Sequence, residues 1–164
     1  DELSHDIAQT LNNDLRFTDP YLKLQNNPGE INAEAIAQIQ AIIQQHFTAD
    51  NIAHWFGKHM TERKYGQDEL ENEDEITADD WQAALAEGNT LWRHPAARLA
   101  FHTQADCTQL FADGQAVDCS RELAELVCAK VEISWDEIKP LVEDLFDRAA
   151  ITQLINQETL LVDE

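Results

Sequence analysis

At 164 residues, 43% of them hydrophobic, the chain is long enough for one domain or two small ones and apolar enough to build a core, which excludes an intrinsically disordered polypeptide. Its 11 basic and 32 acidic residues leave a formal charge of −21, divided as −10 over residues 1–77 (5 basic, 15 acidic) and −11 over 78–164 (6 basic, 17 acidic). Nucleic acid is bound by Lys and Arg that displace its counterions, so both halves should be repelled by it, and no apolar run approaches the ~20 residues of a membrane helix. 

Leu3, Ile7, Leu11 and Leu15 recur every four residues and predict a first helix, which ends in "FTDPYLKLQNNPG", where Pro20, Pro28 and Gly29 break the pattern. Asn32 then caps a second helix whose apolar stripe is Ile36, Ile39, Ile43 and Phe47, widened by Ile42. The stripe is broader than one small neighbouring helix covers. Ile36, Ile39, Ile42, Ile43 and Phe47 are therefore the candidate homodimer interface; the competing expectation is that they pack wholly within their own chain against Ile52, Trp55, Phe56 and Met60.

Thr48 or Asp50 starts a third helix, with Ile52, Trp55, Phe56, His59, Met60 and Arg63 at helical spacing. Gly57 interrupts it at about 1 kcal/mol relative to Ala, which implies close backbone packing at that point. Arg63 and Lys64 are placed in its last turn, where the negative end of the helix dipole favours cations, with Gly66 as the cap. Asp68, Glu69, Glu71, Glu73, Asp74 and Glu75 follow as a solvated acidic linker, a junction and not a site. Asp79 and Asp80 then fall in the first turn of a helix through Trp81, Leu85 and Ala86 that ends at Gly88.

Beyond Gly88 the period changes. "TLWRHPAARLAFHT" and "CTQLFADGQAVDC" read as short strands, the second stretch folded into a hairpin at Asp113-Gly114. Ser120 caps a helix through Leu123, Leu126 and Val127. Ser134 and Glu137 form a capping box before a helix through Ile138, Leu141, Val142 and Leu145, with Pro140 inside its first two turns. A last helix carries Ala149, Leu154 and Ile155, and "ETLLVD" is a closing strand. The fold class is thus mainly α with small β: a helical dimerisation region over residues 1–66, an acidic linker over 67–77 and a winged-helix-like α+β domain over 78–164.

Six histidines invite a metal site, yet none is followed at the second position by a carboxylate, no two are four apart on a helix, and no Cys-x-x-Cys occurs; no metal ligand is expected. Cys107 and Cys119 flank the hairpin in a register that sends them to opposite faces, so the three cysteines are expected as free structural thiols. There is no Gly-x-Ser-x-Gly and no Gly-rich phosphate loop. The helix from Asp147 to Asn156, which a winged-helix protein would lay in a DNA groove, carries Arg148 as its one base, so no direct DNA binding is expected. With no signal segment in view, a soluble cytoplasmic chain is expected, and a start at Asp1 without methionine is expected of a piece of a longer protein.

Taken together, "FTDP" at Phe17–Pro20, "HWFG" at His54–Gly57, "AALAEG" at Ala83–Gly88, the "ADGQAVD" hairpin and the closing "LINQETLLVDE", in this order and spacing, resemble the C-terminal part of the bacterial JmjC (cupin-type) ribosomal protein oxygenases, the arginine hydroxylase branch. The resemblance spans nearly the whole chain. It implies a parent enzyme whose N-terminal cupin barrel binds Fe(II) and 2-oxoglutarate and hydroxylates an arginine of a basic large-subunit ribosomal protein, followed by dimerisation helices and a winged helix. Only those last two parts have counterparts here. The barrel's His-x-Asp is absent, so no catalytic, cofactor or metal residue carries over, and the chain alone is expected to be non-catalytic. The alternative is an independent acidic interaction protein, either a nucleic-acid mimic or a degenerate winged-helix regulator.

Overall fold

The computed structural model describes residues 27, 29–63, 75–104 and 107–163, with Ile42 and His46 described by their backbone alone. The expected first helix, the "FTDP" motif, Lys64, Gly66 and most of the acidic run lie outside these residues. The chain divides into two compact units, residues 1–55 and 56–164.

In the first unit, α1 spans Ala33–His46. The Asn32 side-chain oxygen accepts from the Ala35 N–H at 2.7 Å, satisfying one of the orphan donors at the helix start. The next helix, α2 (Ala49–Thr61), begins where Thr48 Oγ1 accepts from the Asn51 N–H. It runs on into the second unit.

There, Gly57 meets Phe111 of the second sheet described below. A Cβ built on Gly57 would lie 2.3 Å from Cδ2 and Cε2 of that ring, so the helix approaches as closely as it does only because position 57 has no side chain. One turn later, the buried Thr61 hydroxyl donates to the Gly57 carbonyl at 2.9 Å and accepts from the Gly114 N–H at 3.1 Å. The end of α2 is thereby fastened to a hairpin tip fifty residues downstream.

Thr77 and Asp80 open α3 (Ala78–Ala86) with a reciprocal capping box, a use of Asp80 more specific than the dipole preference expected from sequence. Gly88, at φ +112°, closes the helix as expected. The stretch "TLWRHPAARLAFHT" then splits between two sheets. β1 (Leu91–Arg93) is the centre of a small antiparallel sheet between β5 (Glu132–Ile133) and β6 (Leu160–Val162), whereas β2 (Leu99–Thr103) is the edge of an antiparallel meander with β3 (Thr108–Ala112) and β4 (Gln115–Cys119). The break falls at Pro95, which has no N–H for a ladder, in a turn where Ala97 N–H donates to His94 O. The expected hairpin is present: Asp113 and Gly114 have φ of +51° and +85°, a pairing suited to a two-residue primed turn.

Ser120 caps α4 (Arg121–Ala129), which leads to β5 (Glu132–Ile133). The helix expected through Leu145 is instead a single turn, α5 (Trp135–Ile138), followed by turns; Pro140 has no N–H with which to continue the ladder. Asp144 then caps a separate helix, α6 (Leu145–Asn156), so Leu145 sits in a first turn and is 73% exposed rather than part of an apolar face. The strand β6 (Leu160–Val162) returns beside β1.

The order α4-β5-α5-α6-β6 is a winged-helix core in which β1 supplies the central strand. α4 packs on β2 and β3, while α6 packs on β4, β6 and α3. Leu91, Leu110, Leu123, Ile138, Ile151 and Leu160 are fully buried at the centre. Trp81 closes one side, its indole N–H donating to Thr152 Oγ1 at 3.0 Å. The architecture is the α+β class expected from the sequence.

Candidate interaction surfaces

Helical spacing places Ile36, Ile39 and Ile43 on one face of α1, and these three and Phe47 at its C-cap keep nearly half of their surface: Ile36 47%, Ile39 45%, Ile43 47% and Phe47 43% exposed. The Ile42 side chain lies outside the described residues. None of the four is buried. Ile52, in the same unit, is also exposed. The row is made of large apolar side chains with no titratable or nucleophilic group among them.

Arg63 was expected in the last turn of a helix. It lies past the end of α2 and reaches across the second unit instead. Its guanidinium donates to Asp113 Oδ2 at 2.8 Å and to the Glu158 carbonyl at 3.4 Å. Asp113 also accepts from the Arg98 N–H and the Thr159 hydroxyl. Burial, the largest influence on that carboxyl, would raise its pKa, but the hydrogen bonds from Arg63, Arg98 and Thr159 and the charge of Arg63 together hold it below the usual value. The two non-glycine residues with positive φ among those described, Asp113 and Glu158, are thus gripped by one cation.

The helix that would read DNA offers no free base. Arg148 is turned back on its own chain, donating from Nε to the Val142 carbonyl at 3.0 Å, and Asp147 is buried with its carboxylate accepting from the Ser120 N–H and hydroxyl. Exposed along α6 are Leu145, Phe146, Ala149 and Gln153, all uncharged. Cys119 is pushed up to about 12 and Cys128 to about 11, in both cases chiefly by burial, as inert structural thiols would be; Cys107 is exposed. Among the described residues, no three His, Cys, Asp or Glu side chains are grouped to hold a metal ion, and no helix is long and apolar enough to cross a membrane.

One surface escaped the reading of the sequence. Trp92 and Leu161, directly opposed on β1 and β6, are both exposed on the outer face of the small sheet. Leu91 and Trp92 are adjacent and both apolar, so the sequence carried no signal of which one faces out, nor of the strand that pairs with them.

This fold defines a winged-helix protein whose exposed faces are apolar and acidic. The sequence model of the ROXA-like winged helix family matches residues 40–160, and the chain belongs to that family. No curated protein matches it by sequence. Among solved structures, it is similar to Escherichia coli YcfD, with TM-score 0.78 and 15% identity over 98% of this chain and 43% of that one. It is likewise similar to YcfD, described as a ribosomal oxygenase, in complex with cobalt and succinic acid (TM-score 0.78, 16% identity, 98% and 44% of the two chains). A complex of the same oxygenase with cobalt and 2-oxoglutarate matches at TM-score 0.76 and 16% identity, over 99% and 46%. The chain spans less than half the length of the solved chains it matches, and at this identity the likeness is one of fold.

Proposed function

We propose that this chain is the non-catalytic assembly and accessory portion of a larger Fe(II)- and 2-oxoglutarate-dependent ribosomal protein arginine hydroxylase. The observation that carries the reading is the coverage: essentially all of this chain aligns with under half of a ribosomal oxygenase. In this reading residues 1–66 are the dimerisation region, 67–77 the acidic linker and 78–164 the winged-helix domain. Two copies pair through Ile36, Ile39, Ile42, Ile43 and Phe47, an arrangement supported by the half-open stripe on α1. The parent works in the cytoplasm on a basic ribosomal protein, which the acidic surface steers toward it without any DNA contact.

The described residues do not fit an iron site, because no three metal-ligating side chains converge, and no step of the oxidation is assigned to them. Iron and 2-oxoglutarate belong to a part of the parent outside this chain. The gene upstream of Asp1 is expected to encode a cupin barrel carrying a His-x-Asp or His-x-Glu ligand pair; a start codon immediately before Asp1 overturns the reading. The 164-residue chain given Fe(II), 2-oxoglutarate and a ribosomal protein should consume no more 2-oxoglutarate than a protein-free control, and turnover above that control equally rejects it.

A further inference from the structure

The small sheet β5-β1-β6 buries one face and leaves the other open. Leu91, Ile133 and Leu160 point into the core, and the alternation of a strand therefore turns Trp92, Leu161 and Glu132 outward. Trp92 is the hub of that face. It pairs with Leu161 on one side and Glu132 on the other, and directly opposed side chains of antiparallel strands have their Cβ atoms about 5 Å apart. Asp163 follows two residues after Leu161, opposite Thr90, to which its backbone N–H donates at 3.0 Å. Asp163, just past the end of β6, lines one cleft with Trp92, and Glu132 is the cross-strand partner of Trp92 on β5; both carboxylates are exposed.

Three further features give the face a binding shape. The Trp92 indole N–H donates to Thr90 Oγ1 at 2.8 Å, which holds the ring along its strand. Trp92 is 38% exposed, Leu161 39% and Val131 49%, and these three line an open cleft of about 550 Å³. Neither Glu132 nor Asp163 is in an ion pair among the described residues. Arg93 and His94 also line the cleft, and the Arg93 guanidinium is engaged in donating to the Cys128 carbonyl at 3.2 Å.

We propose that this sheet face docks an arginine-bearing segment of a basic protein, a guanidinium stacking on Trp92 between the carboxylates of Glu132 and Asp163. An indole face attracts cations through its quadrupole, and a planar guanidinium both stacks on the ring and forks toward carboxylates, which a lysine ammonium does not. A chain at −21 excludes polyanions from the same face and selects a cationic partner. The inference rests on this sheet alone and holds whether or not the parent is an oxygenase.

The test is fluorescence anisotropy at physiological salt with the full chain and three labelled peptides of equal length, rich in arginine, lysine or glutamine. The arginine peptide should bind most tightly. Trp92→Ala should weaken it about two- to fivefold, the range of an exposed cation–π contact. The surface pair Glu132→Gln/Asp163→Asn, which leaves the core untouched, should weaken it at least as much, whereas Glu87→Gln/Glu122→Gln, equal in charge but on other elements, should not. Circular dichroism establishes that each variant is folded, and the Glu132/Asp163 pair decides the matter should Trp92→Ala fail to fold. Equal losses from the two charge pairs would mean diffuse electrostatics, and equal affinity for the arginine and lysine peptides would mean no stacking; either overturns the proposal. So does self-association of the chain that Trp92→Ala abolishes, since a second copy is then the occupant.

Discussion

Arg63 and Asp113, fifty positions apart, meet at 2.8 Å, and the pair joins the segment after α2 to the tip of the β3–β4 hairpin. Both side chains are largely shielded from water, and the Asp113 carboxylate has two further donors. An ion pair so placed is strengthened by low local dielectric, and its loss strands a buried guanidinium.

Asp113→Asn should therefore destabilise the fold by about 1 to 3 kcal/mol, read by urea unfolding at pH 7. Asn tolerates the positive φ at this position, so the loss reports the charge and not the turn. Because the folded carboxyl is held below its ordinary value of 3.8, its contribution is complete above that value and disappears as pH falls through the folded one. The wild type and the variant should converge in stability below about pH 3.8. A difference that persists undiminished into that range contradicts the assignment.

Gly57→Ala is favourable by about 1 kcal/mol in an isolated helix, yet here the new methyl meets the Phe111 ring at 2.3 Å. Overpacking of this kind costs about 1 to 3 kcal/mol, so the net effect should be a lower Tm. Phe111→Leu, destabilising by itself, should restore part of the loss when combined with Gly57→Ala. Strict additivity of the two changes would show that the clash is relieved elsewhere.

The proposed homodimer makes a prediction about α1. Burying one large aliphatic side chain contributes about 1.5 to 3 kcal/mol, and two-fold symmetry doubles it, so Ile39→Asp should weaken the dimer by more than about a hundredfold. Repulsion between two chains of −21 is screened over about 8 Å at physiological salt, which leaves contact burial to decide the outcome. Light scattering on both proteins is the measurement. A monomeric wild type rejects the interface, and so does an Ile39→Asp variant that remains a folded dimer.

The thiols should differ in reactivity. At pH 8 an aromatic disulfide reagent should react quickly with Cys107 alone, while Cys119 and Cys128, raised to about 12 and about 11 by burial, should wait for unfolding. Cys107→Ser should remove the fast phase completely. Two fast thiols in the native protein would mean that the α4 region opens readily.

Where a structural feature depends on residues within four positions of one another, the amino-acid sequence determined it. The Asn32 and Ser120 caps, the Ser134–Glu137 capping contact and the Asp113-Gly114 turn are all of this kind, since donor, acceptor and backbone preference lie in one short segment. Gly57 is an intermediate case: its cost in a helix announced a close approach, but not that Phe111 was the neighbour. Pro140 announced a difficulty in its helix without saying that the chain would restart at Asp144 and leave Leu145 in solvent. The remaining features were decided by the tertiary structure. Arg63 has its partner at Asp113, Asp147 has its partner at Ser120, and Trp92 shares an open face with Leu161 and Glu132 because β1 lies between β5 and β6. Each of these depends on which distant segments pair, and that is settled by burial of the whole apolar core, a quantity that no local stretch of residues contains.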